Sequence, residues 1–583
     1  MIQTQTSESY EKNQKEAIKA IKKNKESFLK KCRIINDNED LEAMTERVFS
    51  TVSCTGDIFQ DNDAETLKKE LSTLFLEGYI VPSTPILTNA GRHNDKPLSA
   101  CSVPNIDKKM SRKELQKIVN DYHIKGMGTG FNFDDSDNPL QDLLFFNEIA
   151  VEEDKRKVLD RPVGNMGILS IDHPQVIVFA KSKSNGYRNL DWKFNISINL
   201  KKPFMKAVKL GGSYCQKDGT VVNARKLLQE IVSCAHDCGD PGLVFLDRFE
   251  ETNATPHIGQ YLSIAPCGEI SMASGETCQF SYINVGKLVS DDKIDYEKLK
   301  KVVFATVKML DNSLEISKKN IAYDSSAEII DRKRKIGVGI CGFSDMLIKL
   351  GLAYDSEEAN SLAKDLISFI NYHSKSASVD LAKKRGAFPA WTDSETKREL
   401  IIGRYLGSET RTVSKENWAK LNQDMQRYGI RNVSTVALPP TGRSSMIIDA
   451  SPSIEPLFRL MINNDFKRTF EINAMRFGYT GNIEKIYSEI ESSRSCQRTD
   501  LPPEMKAIYK TCIEISPDAH LNMVASFQKY TDDSIAKTVN LPNDCKVQDV
   551  ERIYLRAYDL GLKGITVYRD GCKNEQPMEL NKR

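Results

Sequence analysis

The sequence predicts an α/β protein with a helical N-terminal lobe, and three observations carry that prediction. Residues Ser9 to about Leu76 place apolar side chains at three- and four-residue spacing among many lysines, the pattern of amphipathic helices. From Tyr79 onward, short apolar runs punctuated by Gly and Pro alternate with longer helical segments. The 583 residues are enough for a large core, and neither a short-period repeat nor a long low-complexity linker divides them.

Taken in order, the lysines from Lys22 to Lys31 form a solvated helix face. Lys335-Ile336-Gly337-Val338-Gly339-Ile340 reads as a strand, followed by a helix over Asp345 to Leu350. Val550 to Leu560 reads as a helix, followed by the strand Gly564-Ile565-Thr566-Val567-Tyr568. Strands alternating with helices imply parallel pairing through right-handed crossovers. The expected division is a helical lobe over 1–78 and one α/β catalytic domain over 79–583.

Composition narrows the function. Forty per cent hydrophobic and 28 per cent charged residues are ordinary for a globular chain. A net charge of +2 gives no general attraction to nucleic acid or to a membrane surface. There is no run of about 18 apolar residues that would span a bilayer, and the N-terminus lacks a signal-peptide pattern. A cytoplasmic location is expected. The 13 cysteines are odd in number and scattered, unlike a secreted disulfide framework. Cys32 and Cys512 fall in helical patterns and read as core residues. Cys234-Ala235-His236-Asp237-Cys238 lacks the fourth ligand and the spacing of a zinc site, so no metal site is expected there.

Two segments carry chemistry. In Ile264-Ala265-Pro266-Cys267-Gly268-Glu269-Ile270, a loop bounded by Pro and Gly puts a sulfur and a carboxylate within reach of one small ligand. Sulfur supports one-electron chemistry and the carboxylate accepts a proton. Pro440-Thr441-Gly442-Arg443-Ser444-Ser445 offers backbone N–H groups and hydroxyls at a turn before a helix, which suits an anion.

In collinear order from about Val81 to Gln576, the chain resembles the large chain of ribonucleotide reductases. The motifs begin with Pro82-Ser83-Thr84-Pro85, Asn89-Ala90-Gly91 and Leu98-Ser99-Ala100-Cys101. Gly128-Thr129-Gly130-Phe131-Asn132-Phe133, Asn165-Met166-Gly167, Ile171-Asp172-His173-Pro174, Phe194-Asn195-Ile196-Ser197 and Gly239-Asp240-Pro241-Gly242 follow. After the Cys267 loop come Cys278, Arg334 to Gly339, Pro440-Thr441-Gly442, Ile454-Glu455-Pro456, Phe527 to Tyr530, Lys537 to Pro542 and Val567 to Gly571. The resemblance implies a roughly ten-stranded α/β barrel of two parallel half-sheets, with a central finger loop carrying Cys267 at its tip.

It also implies the chemistry. Cys267 would carry a thiyl radical that takes the 3' hydrogen of a ribonucleotide, and Glu269 would accept the 3'-hydroxyl proton. Cys101 and Cys278 would be the dithiol that reduces the 2' position and becomes a disulfide. Ser83, Thr84, Ala100, Gly130, Ala265 and the loop Pro440, Thr441, Gly442, Arg443, Ser444, Ser445 would line the substrate site. The product would be a deoxyribonucleotide for DNA synthesis, and a thioredoxin-like or other dithiol would be the external reductant. A monomer or homodimer is expected. Members that use a separate radical subunit carry two adjacent tyrosines near the C-terminus, whereas Thr566-Val567-Tyr568-Arg569 has one. The Pro-Cys-Gly-Glu loop and the Tyr-Arg-Asp-Gly ending resemble the adenosylcobalamin-dependent class, so adenosylcobalamin is the expected cofactor.

Four departures stand out. Ala265 occupies a position where the family has an asparagine. Arg443 replaces a small hydroxyl residue. The stretch Asp134 to Val163 is compressed and lacks a Gly-Gly-x-Arg-Arg run. The C-terminal tail has Cys572 but no Cys-x-x-Cys pair. The N-terminal lobe is unlike the nucleotide-binding cone of some members, so allosteric control by that route is not expected. Three alternatives stay open: a diverged radical enzyme on another nucleotide or nucleoside, a reductase chain served by a separate radical subunit, and a non-catalytic nucleotide-binding relative.

Overall fold

The computed structural model describes residues 25–92, 94–107, 109–156, 163–184, 187–460 and 464–573. The first part of the predicted helical lobe (from Ser9), the first lysines of its solvated face, and the Gln576 end of the matched stretch lie outside them.

Within the described residues, the helical N-terminal lobe consists of several short helices. The chain is helical over 25–31, Leu41–Cys54 and Ala64–Leu76, with a 3-10 turn at Thr55–Phe59. Arg33, at φ 57°, ends the first, and the Asp40 carboxylate caps the second by accepting from the Ala43 N–H. Cys32 therefore lies in a turn just past a helix. Cys512 also lies outside a helix, because its N–H is committed to the Leu457 carbonyl at 2.7 Å.

Beyond the lobe, the strands in chain order are β1 (Ile80–Pro82), β2 (Cys101–Ser102), β3 (Gly128–Asn132), β4 (Asn165–Ser170), β5 (Phe194–Asn199), the outlying pair β6 (Ser213–Cys215) and β7 (Val221–Asn223), β8 (Gly242–Val244), β9 (Ser263–Ile264) and β10 (Ser271–Met272). Then come β11 (Phe280–Asn284), the small pair β12 (Val289–Ser290) and β13 (Lys293–Ile294), β14 (Gly337–Cys341), β15 (Thr538–Leu541) and β16 (Gly564–Arg569). Strands such as β4, β8 and β14 are buried along their whole length, as parallel strands covered on both faces must be.

Pairing closes these strands into a barrel. One half is the parallel series β2-β3-β4-β5-β8. The other is β16-β15, then segment 435–438, then β14 and β11, also parallel throughout, with Leu438 bridging Ile535 and Val436 bridging Val338. The halves meet antiparallel at both seams. Gly564 and Ile565 of β16 face Val244 and Leu243 of β8, and Ser102 faces Thr277 just ahead of β11. β1 extends that second seam, antiparallel to β11 from Ile80↔Ile283 to Pro82↔Ser281. The predicted barrel of two parallel half-sheets is the observed architecture.

Helices make the crossovers that parallel strands require. Arg112–Ile124 joins β2 to β3, Pro139–Arg156 joins β3 to β4, Ala224–Cys238 precedes β8, and Tyr296–Asn320 precedes β14. One hydrophobic core runs from the N-terminal helices through the barrel. A second cluster, including Phe470, Ile486, Tyr487, Ile490 and Tyr509, is built by the helices Asn464–Arg476, Ile483–Ser493 and Pro503–Ile508.

Candidate active site

A hairpin carries the site into the barrel. β9 and β10 pair through Ile264↔Ser271 and Ser263↔Met272. The turn closes with the Ala265 N–H on the Ile270 carbonyl (2.9 Å) and the Gly268 N–H on the Ala265 carbonyl (2.8 Å). Gly268 has φ +82°, a conformation other residues adopt only with strain, and it leaves the Cys267 side chain exposed at the tip.

Glycines on β3 let the hairpin lie against the sheet. A Cβ added to Gly130 would sit 2.4 Å from the Ile264 carbonyl oxygen. One added to Gly128 would meet the Pro266 ring at 3.2 Å and the Cys101 sulfur at 3.3 Å. Polar ties fix the hairpin from other sides. Asn195 donates to the Pro266 carbonyl (3.0 Å), the Lys335 ammonium to the Ser271 carbonyl (2.7 Å), and the Ser534 N–H to the Glu269 carbonyl (2.9 Å).

The closing seam of the barrel brings the other two cysteines together. The Ala100 N–H donates to the Cys278 carbonyl and the Cys278 N–H to the Cys101 carbonyl, each at 3.2 Å. With Ser102 opposite Thr277, Cys101 stands opposite Cys278 on antiparallel backbones. Such pairs have Cα atoms roughly 4.5–5.5 Å apart, within the range a disulfide spans. Cys278 is buried and Cys101 partly exposed.

Glu269 is 3% exposed, and its Oε2 is buried without a hydrogen-bond partner. Burial is the main cause that pushes its carboxyl up to about 7, with the nearby Asp533 charge adding to it. The carboxyl is thus balanced between acid and base near neutral pH. The Tyr282 phenol is pushed well above its usual range, first by burial and then by Glu269, Cys278, Cys267 and Cys101 in that order. One side chain therefore senses all four predicted catalytic groups. Tyr282 is not among the residues the sequence motifs single out, although Cys278, Phe280 and Tyr282 alternate along one extended segment and share a face.

The remaining predicted residues distribute around this centre. Ser83 is buried with an unpartnered Oγ, and its N–H donates to the Phe280 carbonyl on β11 (3.1 Å); Thr84 opens the helix Thr84–Asn89. Gly130 lies beneath the hairpin, and Ala265 is fully buried in it. In the anion loop, Thr441 Oγ1 accepts from the Ser453 N–H (2.7 Å), Ser445 donates to the Gly442 carbonyl (3.2 Å), and the short helix Gly442–Ile447 begins. Ser444 is buried, whereas Gly442 and Arg443 are exposed. The Arg443 charge reaches Cys32 in the N-terminal segment. Of this loop, Pro440 lines the same cavity as Cys267.

That cavity, about 310 Å³, opens beside the hairpin tip. Cys267, Asn195, Glu455, Lys537, Thr566 and Tyr568 are among its walls. Lys537 pairs with Glu455 at 2.7 Å, and the Tyr568 hydroxyl is buried without a partner. Cys234 and Cys238 are buried along the helix Ala224–Cys238, their thiols raised by burial to about 11 and about 12. His236 instead bonds the Cys545 carbonyl at 2.8 Å. In the compressed stretch, residues 157–162 lie outside the described residues, and the helix Pro139–Arg156 fills most of the rest.

A family model described as "Ribonucleotide reductase, barrel domain" matches residues 135–568. The chain belongs to the ribonucleotide reductase barrel family. Among similar proteins, the vitamin B12-dependent ribonucleoside-diphosphate reductase of Thermoplasma acidophilum is 33% identical over 526 residues, 85% of this chain. The protein of the same name from Mycobacterium tuberculosis is 29% identical over 576 residues, 92% of this chain. The chain spans 64% of the first relative's length and 77% of the second's. The class Id ribonucleotide reductase alpha subunit of Actinobacillus ureae shares the fold, with a TM-score of 0.75 at 19% identity over 94% of this chain and 97% of that one. In this family's barrel, the finger loop is the β9–β10 hairpin.

Proposed function

We propose that this protein reduces ribonucleotides to 2'-deoxyribonucleotides with adenosylcobalamin as its radical source. The observation that carries the reading is that the hairpin bearing Cys267 and Glu269 lies against the seam where Cys101, from far earlier in the chain, stands opposite Cys278, with only the space of a Cβ on Gly128 between Pro266 and the Cys101 sulfur. The relatives named as vitamin B12-dependent reductases support the cofactor.

The residues beside Cys267 fit such a group. An exposed sulfur faces a cavity of nucleoside size, walled by the polar side chains of Asn195 and Thr566, with the buried Tyr568 hydroxyl awaiting a partner. Those residues would hold the nucleoside arm. When bound, adenosylcobalamin supplies an organic radical.

The chain's own groups do the rest. The Cys267 sulfur, as thiyl, removes the 3' hydrogen and becomes a thiol. Glu269 takes the 3'-hydroxyl proton; its raised pKa suits a base that must release that proton later. A proton from the Cys101–Cys278 pair lets the 2'-hydroxyl leave as water. The pair's second hydrogen goes to C2', its remaining electron and the proton returned by Glu269 restore the 3'-hydroxyl as the disulfide forms, and Cys267 returns its hydrogen to C3'. An external dithiol then reduces the disulfide. The exposed Arg443 in the anion loop contributes charge toward the substrate's phosphates. The division into a lobe over 1–78 and a catalytic barrel over 79–583, and a cytoplasmic place of action, belong to the same reading. Among the described residues no helix is long and apolar enough to cross a membrane.

The test is anaerobic incubation with adenosylcobalamin, a dithiol and ribonucleoside di- or triphosphates, with products read by mass spectrometry. Deoxynucleotides are expected, and they should vanish without the cofactor or in Cys267→Ala. Absence of product from folded protein with both phosphate forms would overturn the reading and turn attention to other substrates, which the apolar Ala265 would then favour.

A further inference from the structure

We propose that Tyr282 is a substrate-contacting residue whose hydroxyl donates a hydrogen bond to the sugar oxygen that Glu269 deprotonates. The inference deepens the proposed function and rests on it.

Geometry brings the phenol and Glu269 to the same part of the barrel: the Glu269 carbonyl accepts from the Ser534 N–H (2.9 Å), and the Ser534 carbonyl from the N–H of Leu438 (3.1 Å), the residue before Pro439. Tyr282 lies in β11, opposite Val81 on one side and Gly339 on the other. It shares a face with Cys278, four residues earlier in the same extended segment. Gly339 gives the ring its space. A Cβ there would lie 2.9 Å from the Tyr282 ring and 3.2 Å from Pro439, the residue preceding the anion loop. The ring thus lies between the cysteine seam and the base of that loop. It is buried, at 5% exposure.

The chemistry follows from what surrounds it. Glu269 has the strongest influence on the hydroxyl after burial, followed by Cys278, Cys267 and Cys101; no hydrogen bond is among these influences. Burial and these groups keep the phenol protonated, so it is a donor. Glu269, as carboxylate, only accepts. Ala265, buried in the finger loop, offers no polar side chain. The Tyr282 hydroxyl is therefore suited to satisfy the oxygen that loses its proton to Glu269. As that proton leaves, negative charge grows on the oxygen, and a preorganised donor bonds it more strongly than in the ground state. No bond to Tyr282 is made or broken.

Tyr282→Phe keeps the ring against Gly339 and removes only the hydroxyl. In the full chain with adenosylcobalamin, dithiol and a ribonucleoside diphosphate, kcat is expected to fall on the order of 100-fold, with KM rising by no more than about tenfold. The pH dependence set by Glu269 should keep its shape, which disorganisation of the finger loop would not allow. Calorimetry adds a second readout. Tyr282→Phe should bind the ribonucleotide about two- to tenfold more weakly than the parent protein. Both should bind the 3'-deoxy analogue, which lacks the oxygen, equally. Unchanged kcat in Tyr282→Phe, or equal weakening for both ligands, overturns the inference while leaving the reductase reading intact. Failure of the parent protein to form deoxynucleotide overturns both.

Discussion

Glu269 shows how the surroundings of a single residue set its proton affinity. Its proton is held to about pH 7 in the folded protein, against an ordinary glutamate value near 4.5. The native state therefore binds more protons than the unfolded chain across that window, and stability falls as pH rises through it, levelling off above about 7. By linkage the loss is at most about 3 kcal/mol. If Glu269 is the base of the proposed reaction, turnover is expected to rise with pH up to about 7. Glu269→Gln is expected to abolish deoxynucleotide formation and to flatten the stability slope between pH 5 and 7, as followed by denaturant unfolding at a series of pH values. A variant retaining the slope would assign the titration to another group. The Cys267–Glu269 pair was legible in the sequence because it sits in seven contiguous residues. Tyr282 was legible only as a residue sharing a strand face with Cys278; nothing local says that Glu269, Cys267 and Cys101 come within electrostatic reach of it.

At the scale of the element, the finger loop depends on absent side chains as much as on present ones. Gly130 looked like a ligand-facing glycine in Gly-Thr-Gly-Phe-Asn, yet its missing Cβ is what lets Ile264 approach. Gly130→Ala puts a methyl 2.4 Å from a backbone oxygen, so β3 or the hairpin must shift. We expect a cost of about 1–3 kcal/mol, seen as a lower melting temperature, and a turnover loss on the order of 100-fold from misplacing Cys267. Turnover equal to the parent's would show that the hairpin does not need this close approach. The strands around it were legible where apolar runs were bounded by turns, as at Gly337–Cys341 and Gly564–Arg569. Two-residue strands such as β2 and β9 are too short to impose a period, and only their partners define them.

Across the whole molecule, Asp311 ties the barrel's second half to the N-terminal helices. It is fully buried on the helix Tyr296–Asn320 and accepts from Arg334 (2.9 Å), Arg385 (2.7 Å), Arg431 (3.3 Å) and Asn432 (3.1 Å). Arg385 also pairs with Asp61, and the Phe59 ring packs under the same three guanidinium groups. Burial alone would raise the Asp311 carboxyl, but Arg334, Arg431 and Arg385 outweigh it and hold it well below the usual range. Its stabilising contribution is therefore present at neutral pH and is lost only in strong acid. Asp311→Ala leaves three buried cations facing one another and is expected to cost about 3–5 kcal/mol in chemical denaturation. A change under about 1 kcal/mol would mean that neighbouring carboxylates such as Asp61 compensate.

The sequence by itself determined the kinds of elements, the α/β class and, through the order of its motifs, the family barrel with Cys267 at the finger tip. Helical and strand periods and the signature of a Pro-Cys-Gly-Glu turn are local properties, written in adjacent residues. Only the tertiary structure decided that Cys101 stands opposite Cys278, that Glu269 is buried with an unpaired oxygen, and that Tyr282 lies within electrostatic reach of all four groups. Burial and electrostatic influence are sums over segments hundreds of residues apart, and only the closed barrel brings those segments together.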